Sequence, residues 1–348
     1  MSNFDMFLSK LKDLSSEELK LLSKKIMTQL QGTESCTDGS VVVSCKKCGA
    51  KECISKYGKD KNGKQRYRCK HCNAVFTETS YTVFSHTHCN FSKWEKYIEL
   101  LLSGASIQKS ADQCKISTRT AFLWRHKILS TLQRDQDNRV LGGIIEADET
   151  YFHISYKGNH KKSKNFVMPR KAYRRGTDSR SQTGSRACVM CAVERNGQVY
   201  AEVLGKGQPT ISMLSHAFDS RIISDSVVIS DKAVGTRHYF ENIPEIQHIQ
   251  LLAVANTKKK FGPPEIRGAF HIQNVNNMHT RSRTFMRKYN GVSTKYLNHY
   301  INLFIWLDNY KKIEHIDYEM QLLQHIKQNN TYCSGKSIIS LPVIPCAA

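Results

Sequence analysis

The stretch Ile144-Ile145-Glu146-Ala147-Asp148-Glu149-Thr150-Tyr151 places acidic residues inside an apolar, β-branched run that predicts a buried strand. A second run, Val227-Val228-Ile229-Ser230-Asp231, ends on another aspartate. Aspartate is depleted in strands and is costly to bury alone. In a chain of formal net charge +22, two such residues indicate carboxylates kept to hold a divalent cation against a polyanion.

The basic composition narrows the class of partner. The 348 residues include 52 Lys and Arg against 30 Asp and Glu, and the pI is near 9.5. This balance favours nucleic acid or an anionic membrane. No apolar run approaches the roughly 18–20 residues that span a bilayer, and the amphipathic N-terminus has no signal-peptide core. We therefore expect a cytoplasmic protein with no membrane partner, whose 12 cysteines are thiols or metal ligands.

Four of these cysteines form two knuckles, Cys45-x2-Cys48 and Cys69-x2-Cys72, with 20 residues between them. Two Cys-x-x-Cys pairs at this spacing predict a tetrahedral Zn²⁺ site, with chance pairs of buried thiols as the alternative. Cations and tyrosines alternate between the knuckles and indicate a β-ribbon that contacts the DNA backbone. The predicted contacts are Lys64, Arg66 and Arg68, and a solvated hairpin on a purely structural site is the alternative.

Residues 91–135 have helical periodicity. A helix ends at Gly104, a short helix follows over 106–114, and a third runs from Thr118 to Leu132 after a cap at Ser117. This pattern is typical of a helix-turn-helix, although an ordinary three-helix bundle has the same pattern. The predicted outward, DNA-contacting residues of the third helix are Arg119, Thr120 and Arg125. The residues expected to pack inward are Phe122, Leu123 and Ile128.

The first acidic strand and the segments that follow it have the order β-β-β-α-β. Strands are predicted at 187–194 and 198–204, and a helix at 212–220 precedes the second aspartate strand. That order is the ribonuclease H-like layout, in which the first and fourth strands each deliver an aspartate to one edge and a later helix adds a third ligand. The later helix here is 271–283. Structural salt bridges are the alternative role for Asp148 and Asp231.

With these segments together, the sequence resembles transposases of the IS1595 group of bacterial insertion sequences, with the ISXO2-like catalytic domain. The resemblance runs from about residue 40 to 310. It is carried by the zinc ribbon at 45–72, Thr120–Lys127, Glu146–Tyr151, Ser230-Asp231, His271–Asn276 and Gly291–Leu297.

The resemblance implies a DNA transposase that binds the terminal inverted repeats of an insertion sequence and catalyses metal-dependent strand cleavage and strand transfer. Asp148, Asp231 and Asn276 would hold Mg²⁺ or Mn²⁺, and Arg283 would contact phosphate. The partners would be double-stranded DNA of transposon ends and target, with a homodimer or higher oligomer in the synaptic complex. The protein would be bacterial and nucleoid-associated, with Zn²⁺ in a structural role.

Asn276 departs from the glutamate common at this position in the family, and its amide oxygen adds no negative charge. One alternative is therefore a catalytically inactive, transposase-derived DNA-binding repressor. Another is a ribonuclease H-like nuclease without strand transfer. Glu149 is expected either in the outer shell of the site or not involved, because it lies on the opposite strand face from Asp148. Glu146 shares the face of Asp148 but lies two residues further into the strand.

Residues 157–186 hold ten Lys and Arg and a single Asp. The ordinary interpretation of such a run is a solvent-exposed charged loop. The alternative is a flexible basic arm that clamps DNA beside the first acidic strand. The residues predicted to do so are Lys161, Lys162, Arg170, Lys171, Arg174 and Arg175.

We expect an α/β fold in five regions. They are a helical hairpin at 1–35, a zinc ribbon at 41–80, a helix-turn-helix module at 91–135, a ribonuclease H-like catalytic domain at 141–310, and a C-terminal helix with a loose tail at 311–348.

Overall fold

A computed structural model describes residues 44–60, 63–158, 186–252, 265–311, 316–329 and 333–345. The chain divides into two compact units, residues 1–86 and 87–348. The predicted N-terminal hairpin and the predicted DNA clamp, from Lys161 to Arg175, lie outside the described residues. Within the described ranges, no helix is both long enough and apolar enough to cross a membrane.

The first unit contains a three-stranded antiparallel sheet. Its strands are β1 (Ile54–Lys59), β2 (Gln65–Cys69) and β3 (Val75–Phe76), in that spatial order. Among the described residues, Cys45, Cys69 and Phe76 form the buried cluster of this sheet, with Tyr67 stacked on Phe76 at 5.9 Å between ring centres. A cluster this small stabilises a fold little by apolar burial, so a crosslink between the strands would add to its stability.

The second unit begins with four helices, α1 (Phe91–Leu102), α2 (Ile107–Cys114), α3 (Thr118–Thr131) and α4 (Gln133–Asp137). Helices α2 and α3 each begin with a serine N-cap. The Ser106 side chain accepts a hydrogen bond from the Lys109 amide, and the Ser117 side chain accepts one from the Thr120 amide. Trp94 of α1 stacks on Trp124 of α3 at 3.7 Å between ring centres. The helix-turn-helix interpretation of this group stays a prediction.

Arg125 of α3 faces the interior, so its predicted outward position is wrong. The residue is only 2% exposed. Its guanidinium donates to the carbonyl of Ala105 at 2.7 Å and to the Ser110 hydroxyl at 3.3 Å. The position lies on the inward stripe with Ala121 and Ile128, and the long side chain reaches backbone and hydroxyl oxygens beyond α3.

A five-stranded mixed sheet occupies the centre of the second unit. The strands are β4 (Ile144–His153), β5 (Arg186–Glu194), β6 (Val199–Lys206), β7 (Val227–Ser230) and β8 (Gln247–Gln250). Their spatial order is β6-β5-β4-β7-β8. The β6, β5 and β4 pairings are antiparallel, whereas β7 runs parallel to both β4 and β8.

Two helices connect the strands on the β7 side, α5 (Ile211–Phe218) before β7 and α6 (Val234–Glu241) after it. The predicted chain order of strands and helix is therefore observed. Strand β4 is central because it pairs with β5 on one side and with β7 on the other. One face of the sheet buries Ile145, Met190 and Val228 against Phe218 and Phe240 of α5 and α6.

The C-terminal part is helical. It comprises α7 (Gln273–Arg287), a 3₁₀ turn at Thr294–Tyr296, α8 (Leu297–Tyr310), α9 (Tyr318–Gln328) and α10 (Gly335–Ser340). Helix α10 corrects the prediction of a loose tail after Ser334, because that serine caps the helix and Ile338 is buried.

Helix α8 ties the first helices to the sheet. The Asn298 side-chain oxygen accepts from the amide of Val203 in β6 at 2.8 Å. On the other side, the Nδ1 atoms of His299 and His126 are 2.9 Å apart, and Asn302 donates to Gln133 at 2.7 Å. These bonds explain why the four first helices and the sheet fall within one compact unit.

We predict that Arg125→Met lowers the free energy of unfolding by about 1–3 kcal/mol, because the Ala105 carbonyl and Ser110 hydroxyl lose their buried donor. Arg119→Met, at an exposed position of the same helix, should change stability by less than about 0.5 kcal/mol. Urea denaturation followed by circular dichroism measures both. Equal losses in the two variants would refute the buried role of Arg125.

Candidate functional site

Three carboxylates meet at one edge of the central sheet. Oxygens of Asp148, Glu149 and Asp231 all lie within 4.8 Å of one another. Asp148 and Glu149 belong to β4, and Asp231 follows the last residue of β7. Because β4 and β7 are parallel and Ala147 pairs with Ser230, the next position on each strand is the same distance along the sheet. The two aspartates that the sequence singled out are therefore neighbours.

Glu149 belongs to this cluster, so the prediction that it lies in the outer shell or is not involved is wrong. Strand β7 ends at Ser230, the partner of Ala147, so beyond that pair β4 has no neighbour on this side. The Glu149 carboxylate reaches Asp231 around the open edge although its position faces away from Asp148. The Thr236 hydroxyl of α6 donates to it at 3.3 Å and holds it there.

The cluster is electrostatically unfavourable without a cation. Burial, followed by the charges of Asp231 and Glu149, raises the pKa of Asp148 to about 8. Burial and Asp231 also raise the pKa of Glu149. Like charges gathered in a partly buried site disfavour ionisation of one another. A donor set made only of carboxylate oxygens is the chemistry that hard divalent cations take, so the residues present fit such an ion.

His279 of α7 lies beside Asp148 and was missed by sequence reasoning. Its Nδ1 is 3.8 Å from an Asp148 carboxylate oxygen, and the residue is 5% exposed. Its Nε2 is buried and has no hydrogen-bond partner among the described residues. Burial, with the nearby charge of Arg283, lowers the pKa of His279 to about 4. The available signal was helical spacing, because His279 follows Asn276 by three residues on one face.

Asn276, the predicted third ligand, is exposed on α7. Among the described residues its side chain makes no hydrogen bond to the three carboxylates, and its backbone carbonyl accepts from Thr280 at 3.2 Å. Arg283, two helical turns further on, donates to the hydroxyl of Thr150 at 2.7 Å. The α7 face that carries Asn276 is therefore turned towards β4, with His279 nearer to Asp148.

A second cluster gathers the four knuckle cysteines of the first unit. Their sulfur atoms lie within 4.8 Å of one another, with Cys45 and Cys72 at 3.6 Å and Cys48 and Cys69 at 3.7 Å. Sulfurs bound at 2.3 Å to a tetrahedral ion lie about 3.8 Å apart, so the spacing fits a four-thiolate metal site. Cys53 is exposed and is not part of this cluster.

Residues 140–309, which include both aspartates and α7, match the family described as ISXO2-like transposase domain. These residues are thus identified as a domain of this transposase family. Over 123 residues it is also 30% identical to the "Uncharacterized protein in transposable element ISH50" of Halobacterium salinarum. That match covers 34% of this chain and 40% of the relative, so the chain spans less than half of that relative's length.

Solved structures similar to this chain include two Mos1 assemblies. The Mos1 strand transfer complex is 13% identical, with 71% of this chain and 78% of that chain covered and a TM-score of 0.23. The Mos1 mariner paired-end complex with Mn is 12% identical, with 72% and 82% covered and the same TM-score of 0.23. Such TM-scores are too low to establish a shared fold.

The predicted DNA contacts of the chain fall into different environments. In the first unit, the guanidinium groups of Arg66 and Arg68 lie 5.5 and 5.6 Å from the ring centre of Tyr57, which is 44% exposed. Lys64 on the same hairpin is exposed. In the second unit, Arg119 is exposed, and the Thr120 hydroxyl is 2.8 Å from that of Ser117.

The raised pKa of Asp148 predicts that the metal-free protein loses stability as pH rises. The folded pKa of about 8 exceeds the ordinary 3.8, so the protonated carboxyl stabilises folding fully below pH 3.8 and this contribution disappears as pH rises to 8. Thermal unfolding in EDTA should therefore show a lower melting temperature at about pH 8 than at about pH 5. Asp148→Asn should flatten this dependence, whereas Asp225→Asn, at an exposed position, should leave it unchanged.

Excess Mg²⁺ should oppose the loss at the alkaline end, because a bound cation replaces the proton. A melting temperature of Asp148→Asn that falls with pH as steeply as in the wild type would contradict the shifted carboxyl.

Proposed function

We propose that this protein is a DNA transposase that binds the terminal inverted repeats of an insertion sequence and catalyses metal-dependent strand cleavage and strand transfer. The observation that carries the proposal is the cluster of Asp148, Glu149 and Asp231 within the ISXO2-like domain. Polynucleotidyl transfer needs few protein groups beyond carboxylates that hold divalent ions. The basic chain supplies the charge that DNA binding needs.

The sheet supports a ribonuclease H-like assignment for the catalytic domain. Three antiparallel strands followed by two parallel ones, in the order β6-β5-β4-β7-β8, form the platform of that layout. In it, the first strand and the fourth strand deliver carboxylates to one edge. Asp148 on β4 and Asp231 after β7 occupy those two positions, and α7 is the later helix that closes the site.

Asp148, Glu149 and Asp231 would hold Mg²⁺ or Mn²⁺, which, when bound, lower the barrier by activating the attacking oxygen and stabilising the leaving one. The chain's own residues then orient the reaction. Asp148 would be the central ligand, because it lies near Asp231 on one side and near His279 of α7 on the other. Asn276, three residues before His279 on α7, would offer a neutral oxygen to the same ion. Arg283, held by Thr150, presents its remaining N–H groups to a phosphate.

The four-cysteine cluster is proposed to hold one structural Zn²⁺. Ion binding would supply a crosslink that adds to the stability of the small cluster around Phe76. The ribbon would then present Lys64, Arg66 and Arg68 to the DNA backbone. Exposed Arg119, at the start of α3, would contact bases if the three helices act as a helix-turn-helix.

The proposal also assigns DNA recognition and catalysis to different parts of the chain and requires an oligomer. Residues 41–80 and 91–135 would recognise the transposon ends, and residues 141–310 would perform the chemistry on end and target DNA. Synapsis of two ends calls for a homodimer or a higher oligomer. The basic run that includes Lys161 and Arg175 would add sequence-independent affinity.

A second candidate is a DNA-binding repressor that has lost the chemistry. Asn276 is the observation that favours it, because a neutral amide replaces a charged ligand and makes no bond to the carboxylates among the described residues. The intact acidic cluster favours the enzyme, since a repressor has no need for a pair of carboxyl groups with raised pKa values.

We predict that Asp148→Asn or Asp231→Asn abolishes Mg²⁺- or Mn²⁺-dependent cleavage and joining of a labelled terminal-repeat duplex, because each removes a ligand of the shared ion. Asn276→Ala should reduce the rate by less, about ten-fold or below, because only a neutral oxygen is lost. Binding of the duplex, measured by gel shift at matched salt, should be retained in all three.

Full activity of Asp148→Asn would overturn the catalytic assignment. Binding without cleavage by the wild type, with cleavage gained by Asn276→Glu, would identify the repressor. Cleavage without joining would identify a nuclease.

We predict one Zn²⁺ per chain, measured by elemental analysis of the purified protein. Cys69→Ser should lower the content because one of four sulfur ligands is lost. Cys53→Ser is the matched control, since Cys53 is exposed and outside the cluster. A zinc-free wild type, or equal zinc in both variants, would refute the site.

A further inference from the structure

We propose that Glu146 is a positioning residue: it holds the start of α7 against β4 and thereby sets which α7 side chains face Asp148. The inference rests on the proposed function, because it concerns the geometry of the same metal site. Glu146 itself is not one of the clustered carboxylates. Its role would be to hold α7 in place.

Glu146 is 0% exposed, yet its carboxylate is fully engaged. One oxygen accepts from the backbone amides of Asn274 at 2.7 Å and Val275 at 3.1 Å. The other accepts from the Asn274 side-chain amide at 2.8 Å. A buried carboxylate is tolerated only when its oxygens are satisfied in this way, and the groups that satisfy it belong to the first turn of α7.

The N-cap position of α7 supplies no side-chain acceptor, because it is occupied by Ile272. Of the first amides of the helix, that of Gln273 donates to Nδ1 of His271 at 3.2 Å. The first amides of a helix have no partner within the helix and carry partial positive charge. The Glu146 carboxylate supplies from β4 the acceptor and the negative charge that a capping Ser or Asp would supply from within the chain.

Arg195 extends the clamp to the segment before α7. Its guanidinium lies 2.9 Å from a Glu146 oxygen and donates to the carbonyl of Ala269 at 2.9 Å. His271 places Nδ1 3.3 Å from the same oxygen. Strand β4, the turn after β5 and the entry to α7 are thus joined at one buried carboxylate.

The contacts between β4 and α7 share one register. Glu146, Asp148 and Thr150 alternate along one strand face, and they meet Val275, His279 and Arg283 respectively. Two strand residues span about 6.7 Å, and four helical residues rise about 6 Å, so the two spacings match. A slip of one residue would turn α7 by about 100°. His279 would then move away from Asp148, and the face that carries Asn276 would turn with it.

The test measures Mn²⁺ binding to the full-length protein directly, by electron paramagnetic resonance of the free ion, and does not depend on cleavage. Glu146→Gln should weaken Mn²⁺ binding about ten-fold, as loss of an outer-shell partner commonly does. Glu194→Gln is the matched control. Glu194 is also buried in the sheet, but its side chain is bonded by Asn196 rather than by α7. We expect no change in that variant.

A second arm separates positioning from a general loss of stability. In a background of Asn276→Ala with His279→Ala, Glu146→Gln should weaken Mn²⁺ binding no further, because the side chains it positions are absent. Equal weakening in both backgrounds, or an equal effect of Glu194→Gln, would overturn the role. If Glu146→Gln does not fold by circular dichroism, Arg195→Gln, at a half-buried position, replaces it with the same expected directions.

The outcomes separate this inference from the proposed function. A wild type that binds Mn²⁺ with the predicted variant pattern but does not cleave terminal-repeat DNA would retain the positioning role and refute the transposase. If the wild type cleaves terminal-repeat DNA but Glu146→Gln leaves the Mn²⁺ affinity unchanged, the transposase is retained and the positioning role is refuted. No Mn²⁺ binding by the wild type would overturn the positioning role together with the metal site.

Discussion

The parallel pairing of β4 with β7 is the constraint on which the rest of the second unit depends. It brings Asp148 and Asp231 side by side at the point where β7 ends, and the open edge beyond admits Glu149. Burial of these carboxyl groups, followed by the charge of Asp231, raises the pKa values of Asp148 and Glu149. A bound cation favours the ionised forms, so the same geometry that weakens the metal-free fold prepares it for an ion.

Polar groups, rather than apolar burial alone, locate the helices around this edge. The Glu146 carboxylate accepts hydrogen bonds from the first turn of α7, and the Thr150 hydroxyl accepts one from Arg283. The Thr236 hydroxyl of α6 donates to Glu149. Hydrogen bonds are directional, so they specify register where apolar packing tolerates small slips. His279 places Nδ1 3.8 Å from an Asp148 oxygen, while its buried Nε2 has no hydrogen-bond partner among the described residues.

Different groups of side chains supplement apolar packing in the two units. In the second, Arg125 is accommodated because it satisfies the Ala105 carbonyl and the Ser110 hydroxyl. In the first, the described residues form only a small apolar cluster around Phe76, and four sulfurs converge at metal-ligand spacing. Membership of the ISXO2-like transposase family rests on residues 140–309 and so concerns the second unit alone.

The sequence by itself determined the local elements and the most informative residues. Apolar, β-branched runs predicted β4 to β7, the serine at 117 predicted the start of α3, and the acids within those runs predicted Asp148 and Asp231 as site residues. The Cys-x-x-Cys spacing predicted the sulfur cluster. These features are encoded within a few residues of one another, so they can be read without knowledge of the fold.

Only the tertiary structure decided which side chains meet across distant segments. Glu149 joins the site because β7 stops two residues short of its level, and that ending is set by strand pairing. His279 faces Asp148, and Glu146 caps α7, because a strand and a helix far apart in the chain lie in matched register. Arg125 faces inward because its partners lie on the neighbouring loop and helix. Helical periodicity places His279 near the face of Asn276 and Arg125 on the buried stripe of α3, but it does not say which distant residues these side chains meet. For that reason the pattern of residues alone assigned these positions wrongly or missed them.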